Sequence, residues 1–338
     1  MTLNPQDKIF ITGATGFLGS HLAKRLVERG LDVTILARPG SGHPFLSGLK
    51  LARVEGDVTD YESVLRGMKD CSHVFHAAGY LSYHKLKKGI MHAVNVEGTE
   101  NVCRAALGNG VKRLLAVSST SAVGIPEHPR CPADETFPFH RRWRKIPYML
   151  TKRLGEEAAL RFVGKGLDVV VVNPSTFYGP GDVKLHTGEV FRNIASGLLK
   201  FAPPGGNGIV AIRDCAEGLV AAMEKGRTGE RYILNSENLT FLEIFNVLAR
   251  LLEKPPIRKR FPRWTYRPFY ASAFLVENIF RFFGKASKIE CGSIAMGWRF
   301  RYFDSSKARR ELGWSPRVTF EETCRQALEF YRQQGLLP

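Results

Sequence analysis

Tyr148-Met149-Leu150-Thr151-Lys152 sets a phenol and an amine four residues apart. On a helix that spacing puts both side chains on one face. An ammonium near a phenol favours the phenolate and lowers the phenol pKa. The phenol can then trade a proton with a substrate hydroxyl or carbonyl near neutral pH. Upstream, the apolar run 111–117 reads as a strand that ends in Ser118-Ser119-Thr120-Ser121. A serine hydroxyl at a strand end can hold the same substrate oxygen. Carbonyl–alcohol interconversion beside a hydride carrier needs such a set, because the carrier performs the hydride chemistry itself.

The carrier is legible near the N-terminus. Lys8-Ile9-Phe10-Ile11-Thr12 is a short apolar strand that runs into Gly13-Ala14-Thr15-Gly16-Phe17-Leu18-Gly19, followed by a helical pattern with Leu18, Leu22, Leu26 and Val27 on one face. Strand, glycine turn and helix in that order place a pyrophosphate on a helix N-terminus, where free N–H groups and the macrodipole favour negative charge. Gly13 permits the tight turn, Gly16 lets backbone approach phosphates, and Gly19 lets helix pack closely on strand. The next strand, 32–37, ends in Arg38. An acidic residue there would suit a free ribose 2′-OH. An arginine suits a 2′-phosphate, so the expected cofactor is NADP, with NAD as the alternative.

With these segments the chain resembles an extended short-chain dehydrogenase/reductase of the NAD-dependent epimerase/dehydratase family over essentially its whole length. Besides the glycine turn, the matching segments are Gly56-Asp57-Val58, His76-Ala77-Ala78-Gly79, Asn95-Val96-Glu97-Gly98-Thr99, Ser118-Ser119, Tyr148 with Lys152, and Asn173-Pro174-Ser175 with Gly179-Pro180-Gly181. Segments 172–189 and 229–240 are similar to the dihydroflavonol-reductase-like branch and to its hopanoid-associated sugar epimerase-like group. The resemblance implies Ser119 as catalytic serine, Tyr148 as general acid/base, and Lys152 as the residue that binds the nicotinamide ribose and tunes Tyr148. It implies Asp57 and Val58 against the adenine, Ala77, Ala78 and Gly79 along the cofactor, and Ser175 near the nicotinamide amide. Thr15, Phe17, Leu18, Ser118, Asn173 and Pro174 join the cofactor contacts on the same ground. Asn95 is expected to tie backbone together.

Two departures narrow the chemistry. Sugar 4,6-dehydratases of the family carry an Asp-Glu pair after the catalytic Thr, whereas Ser119 is followed by Thr120, Ser121 and Ala122. Elimination of water lacks its acids here. The family's H-V-x-D strand is Ala211-Ile212-Arg213-Asp214 in this chain; Arg213 faces either a ligand or solvent.

The strand–helix rhythm of residues 8–175 implies an α/β fold: a Rossmann, doubly wound parallel sheet with a smaller, mostly helical C-terminal substrate lobe. The expected NADP-binding domain is 1–180, with 213–234 returning to it. The expected substrate-binding lobe is 181–212 and 235–304, and 305–338 forms C-terminal helices. In this family the substrate sits in the cleft between lobes. The 338 residues suffice for a sizeable core, and 44% hydrophobic content is ordinary for a soluble globular protein. No apolar signal core precedes Lys8, and no run reaches the roughly 18 uncharged residues a spanning helix needs. Six cysteines without a C-x-x-C pair read as thiols in a reducing compartment. The expected location is cytoplasmic, with the inner face of the membrane as an option. No metal site is expected, since the histidines lack ligand spacing.

The net charge of +17 is unusual for a metabolic enzyme. Residues 255–285 concentrate it: Arg258, Lys259, Arg260, Arg263 and Arg267 precede an aromatic, nearly uncharged run in which Phe269, Ala273, Val276, Phe280 and Phe283 recur at helical spacing. One reading is an amphipathic helix that caps the substrate lobe with its basic residues in solvent. Another is an interfacial helix in peripheral contact with an anionic membrane. Nucleic-acid binding is not expected, because no such motif accompanies the charge. A second basic run, 140–145, meets an acidic group or is a solvated face.

The aromatic second lobe suits an apolar small-molecule substrate, sterol-, hopanoid- or isoprenoid-like, at least as well as a sugar nucleotide. The expected activity is therefore an NADP-dependent oxidoreductase that interconverts a carbonyl and a secondary alcohol. The alternatives are a sugar (nucleotide-sugar) epimerase with retained NAD(P) and a non-catalytic dinucleotide sensor. A homodimer through 97–107 and 152–162 is expected by analogy with the family.

Overall fold

The computed structural model describes residues 2–285, 287 and 290–337. In chain order the first elements are β1 (Lys8–Thr12), α1 (Phe17–Glu28), β2 (Asp32–Ala37), β3 (Ala52–Glu55), α2 (Tyr61–Gly67), β4 (His73–His76), α3 (Lys88–His92) and α4 (Gly98–Gly108). Then come β5 (Arg113–Val117), α5 (Pro147–Arg161), β6 (Val169–Pro174), β7 (Thr176–Tyr178), α6 (Gly188–Ala195), β8 (Phe201–Ala202), β9 (Gly206–Ala211) and α7 (Ile212–Lys225). The chain closes with β10 (Arg231–Leu234), β11 (Glu237–Thr240), α8 (Phe241–Leu251), β12 (Lys259–Arg260), α9 (Tyr266–Phe282), α10 (Cys291–Gly297), β13 (Phe300–Arg301), α11 (Ser306–Leu312) and α12 (Phe320–Gln333).

Seven strands form one parallel sheet in the order β10-β6-β5-β4-β1-β2-β3. Both faces are covered, so the strands read as near-continuous apolar runs. Alternation sorts their side chains: Ile9 and Ile11 pack with Leu22, Leu26, Leu219 and Met223 on one face, while Phe10 packs with Val64, Met68, Val102 and Ala106 on the other. The chain leaves β1 towards β2 and β3, then crosses back to β4 beside β1. The crevice at the carboxyl ends of β1 and β4 is therefore the switch point where ligands bind in such sheets.

A second, smaller sheet runs β11-β9-β13, with β7 also paired to β9. Its core joins Phe191, Phe245, Leu248, Phe320, Leu328 and Tyr331. A capping box starts α8: the Thr240 side chain accepts the Glu243 N–H, and the Glu243 carboxylate accepts the Thr240 N–H. Arg213 is exposed on the first turn of α7, so of its two readings the structure supports solvent. Asp214 beside it is buried and accepts the N–H groups of Arg317 and Val318 at 2.8 and 3.0 Å.

Helix α9 departs from the core-facing stripe of the first reading. Phe269, Phe280 and Phe283 are 37, 41 and 68% exposed, and the buried residues of α9 are Ala273 and Glu277. Its inner face runs Tyr266, Tyr270, Ala273 and Glu277, a stripe offset from the apolar one. The reason is that apolar residues stand on both sides of this helix, so hydrophobic spacing alone does not say which side meets protein. Among the described residues no helix is long and apolar enough to cross a membrane.

Candidate active site

The turn after β1 is built by contact. Gly13 has φ +76°, and a Cβ there would overlap the backbone of Ala77 and Ala78. A Cβ on Gly19 would overlap the Gly13 carbonyl, which is how α1 comes to lie against the turn. Gly16 is the N-cap of α1, without a side-chain cap and without an acidic residue in the first turn. This helix start is free to receive an anion. Thr15, Gly16 and Phe17 are half-buried at its mouth, Leu18 is buried, and the Phe17 ring meets Phe177 at 5.4 Å.

At the adenine end of the expected cradle, Arg38 is exposed, with Nε 4.0 Å from Asp57 Oδ2. Arg53 Nη2 donates to the Arg38 carbonyl at 3.0 Å, so two guanidinium groups share this rim. Asp57 Oδ1 accepts the N–H and hydroxyl of Thr59, and Val58 is buried against Gly98. At the other end, Gly79 faces Lys152: a Cβ there would lie 3.7 Å from Nζ. The Ser118 and Ser175 hydroxyls are buried and have no partner among the described residues. A dinucleotide fits this cradle, with an uncapped helix start for its phosphates and unpaired hydroxyls at the far end. Pro174 closes β6 just before Ser175. Asn173 is a different case: its amide nitrogen donates to the Ser119 carbonyl at 3.0 Å and to Glu156 Oε2 at 2.7 Å, so this group braces the Ser119 loop from behind.

Ser119, Tyr148 and Lys152 converge where β5 ends. Ser119 Oγ accepts the Ser121 N–H at 3.1 Å, which caps a short 3₁₀ turn and fixes the serine. Pro147 opens α5 and places Tyr148 in its first turn. Burial pushes the Tyr148 phenol well above its ordinary value, and Tyr83 adds to this; the Ser119 hydroxyl and the Arg301 guanidinium act in the other direction. Lys152 Nζ donates to the Val117 carbonyl at 2.9 Å. Burial draws its ammonium down to about 8, against the pull of Glu156. The expected lowering of the phenol by Lys152 is thus corrected. Desolvation dominates, and the phenol is protonated at neutral pH.

Buried polar links hold this arrangement. His76 joins Thr12 Oγ1 through Nδ1 at 2.7 Å and Thr99 Oγ1 through Nε2 at 3.0 Å. Burial pulls its pKa to about 3, so it is neutral. Asn95 lies in a π-turn, 93–97, between α3 and α4. Its side chain accepts the Tyr80 N–H and donates to the Tyr80 carbonyl and to Thr151 Oγ1. Glu156, buried two turns beyond Tyr148, pairs with Arg231 at 2.9 Å.

Beside Tyr83 lies a cavity of about 110 Å³ whose lining includes Tyr83, Ile146, Pro147, Tyr270, Glu277 and Ala295 together with the cations Lys85, Arg142, Lys145 and Arg299. It adjoins a cleft of about 500 Å³ edged by Trp143, Arg263, Tyr266, Arg299 and Phe300. The basic run 140–145 lies here: Trp143 is buried, and Arg142 pairs with Glu127 at 2.7 Å. The Tyr83 ring meets the Tyr148 ring edge-on at 5.9 Å. Gly292 lets α10 touch Tyr83, since a Cβ there would lie 2.8 Å from the Tyr83 Cβ. Glu277 is 3% exposed, with Oε1 unpartnered among the described residues and Oε2 3.4 Å from the Cys291 N–H. Sequence reasoning did not single out Tyr83, Glu277 or Arg301. They come from separate segments and share no spacing with Tyr148; the acid inside an otherwise basic and aromatic stretch was the one available signal.

Comparisons with known proteins agree with this architecture. A family model described as the NAD dependent epimerase/dehydratase family matches residues 9–235. Sterol demethylase protein B of Methylococcus capsulatus is 30% identical, over 97% of this chain and 99% of its own length. The 4-hydroxy-2-methyl-3-oxo-4-farnesyl-3,4-dihydroquinoline-1-oxide ketoreductase of Stigmatella aurantiaca is 30% identical, over 97% of this chain and 96% of its own. The crystal structure of gox2253 is 33% identical with a TM-score of 0.85, over 98% of this chain and 100% of its own. The chain belongs to the NAD-dependent epimerase/dehydratase family, and it is an NAD(P)-dependent oxidoreductase of the extended short-chain dehydrogenase/reductase type.

Proposed function

We propose that the protein is an NADPH-dependent reductase that converts a ketone on a hydrophobic, polycyclic or isoprenoid substrate into a secondary alcohol. The observation that carries this reading is the buried Tyr148 phenol beside Ser119, packed edge-on against Tyr83 at the margin of a cavity lined by aromatic and basic side chains. Bound nicotinamide cofactor supplies the hydride. Ser119 Oγ holds the substrate carbonyl oxygen, and the Tyr148 hydroxyl gives that oxygen a proton as negative charge develops on it. Lys152 holds the nicotinamide ribose and keeps a positive charge near the phenol. Gly13, Gly16 and the start of α1 hold the pyrophosphate. Arg38, with Arg53 beside it, takes the 2′-phosphate, which supports NADP over NAD.

Reduction needs a proton donor at the substrate oxygen, and the Tyr148 phenol beside Ser119 can serve as one. The substrate class draws support from Tyr83, Trp143, Tyr266 and Tyr270 around the cavity and from relatives whose names carry a sterol and a farnesyl group. The test is NADPH consumption with a panel of lipophilic ketones. Tyr148→Phe should lower turnover by about 10²–10⁴-fold while the fold and cofactor binding persist. Full turnover by that variant would remove the assignment. A homodimer through the outer faces of α4 and α5 completes the proposal.

A further inference from the structure

We propose that the outer face of α9 docks on an anionic lipid bilayer, with the cavity beside Tyr83 directly beneath the docked helix. The polarity of α9 is inverted for a helix at a water-facing margin. Its one acidic residue, Glu277, is turned inward and buried, while Phe274, Leu275, Ile279 and Phe282 are 48, 62, 48 and 85% exposed. Trp264, just before the helix, is 74% exposed. Apolar side chains this open, on one helix and its entry, mark an interaction surface.

Charge selects the occupant. Between residues 255 and 285 the chain carries seven Lys or Arg and one acid, Glu277, which faces the cavity. Arg267, Arg281 and Lys285 on or beside α9 are exposed, as are Arg258, Lys259 and Arg260 before it. A neighbouring segment continues the same chemistry. Leu86 and Ile90 are 44 and 46% exposed, and Lys85 Nζ lies 5.1 Å from the Phe274 ring centroid. The Ser287 N–H donates to His84 Nε2 at 3.0 Å, which ties that segment to the chain beyond α9. Aromatic and aliphatic residues bordered by cations are the pattern of a helix lying in the interface of an anionic membrane. A protein partner would need matching acids, and a second copy of this face would bring cation against cation.

The same helix lines the cavity from inside through Tyr266, Tyr270 and Glu277. A substrate dissolved in the bilayer would therefore reach this cavity, whose Tyr83 packs against Tyr148, past one helix thickness; this clause rests on the hydrophobic-substrate reading, whereas the docking does not.

The test is flotation of the full chain with phosphatidylcholine vesicles and with vesicles containing an equal share of phosphatidylglycerol. The chain should float with the anionic vesicles, at least about tenfold more than with the neutral ones, and high salt should release it. Leu275→Glu with Phe282→Glu, and separately Arg267→Ser with Arg281→Ser, should each reduce flotation about tenfold. Thermal melts and NADPH titration of the same variants should match the parent, so the loss is not one of folding. Absent flotation, or flotation that neither pair alters, overturns the proposal. So does concentration-dependent self-association that the Leu275→Glu, Phe282→Glu pair abolishes, since it assigns the face to a second copy. Vesicle binding requires no turnover, so its failure is distinct from failure of the reductase reading.

Discussion

At the scale of the residue, the electrostatics of Lys152 govern the pH dependence. Its ammonium is drawn down to about 8 by burial, so it is charged at neutral pH and loses its proton as pH rises through that value. If the charge assists proton donation by Tyr148, kcat/KM for reduction stays level at neutral pH and falls on the alkaline side near 8. A rise through the same window would instead assign Tyr148 the role of a base. Lys152→Met should remove this limb and lower the whole profile. Glu156 is tested by stability. It is buried with Arg231 and Asn173, so Glu156→Ala leaves an unpaired buried guanidinium and should cost about 3–5 kcal/mol in denaturant unfolding. A change near zero would mean that the pair is not formed in solution. Ser119, Tyr148 and Lys152 were legible because strand end and helix spacing are local. Tyr83 and Arg301 were not, because only the fold brings them to the phenol, and Glu277 was not, because only the fold turns it to the cavity. The direction of the phenol's shift was not legible, since spacing reveals a nearby cation and says nothing of how much water is lost.

At the scale of the element, contact between backbones sets the site. A Cβ on Gly155 would overlap the Asn95 carbonyl, so α5 crosses the π-turn at the closest approach two helices allow. Gly155→Ala should cost about 1–3 kcal/mol and shift α5, moving Tyr148 and Lys152 together. An unchanged melting temperature would contradict this close crossing. The order of strand, glycine turn and helix was readable from residues 8–28, because each glycine has one geometric duty there. The orientation of α9 was not readable from its residues. Both of its sides carry aromatic groups, and the side that meets protein is chosen by Tyr266, Tyr270 and Glu277 packing towards α10 and the cavity.

At the scale of the whole molecule, the parallel sheet presents the glycine turn at the carboxyl end of β1, and α9 and α10 line the cavity beside Tyr83. The parallel sheet was legible from the alternation of apolar strands and helices. The second sheet was harder to see, because β7 and β13 are three and two residues long and carry no period. The proposed dimer would use α4 and α5, where Leu107 is 41% exposed and Arg161 pairs with Glu100 at 2.6 Å. Sedimentation at micromolar concentration should give twice the chain mass, and Leu107→Glu should halve it; a monomer before substitution would count against this interface. The most direct test of the central claim is cofactor exchange: native mass spectrometry of the purified protein, then titration with NADPH and NADH. The account predicts reversible binding with NADPH favoured by about tenfold or more, and loss of that preference in Arg38→Ala. A tightly retained NAD that survives purification and resists exchange would contradict it and indicate an epimerase.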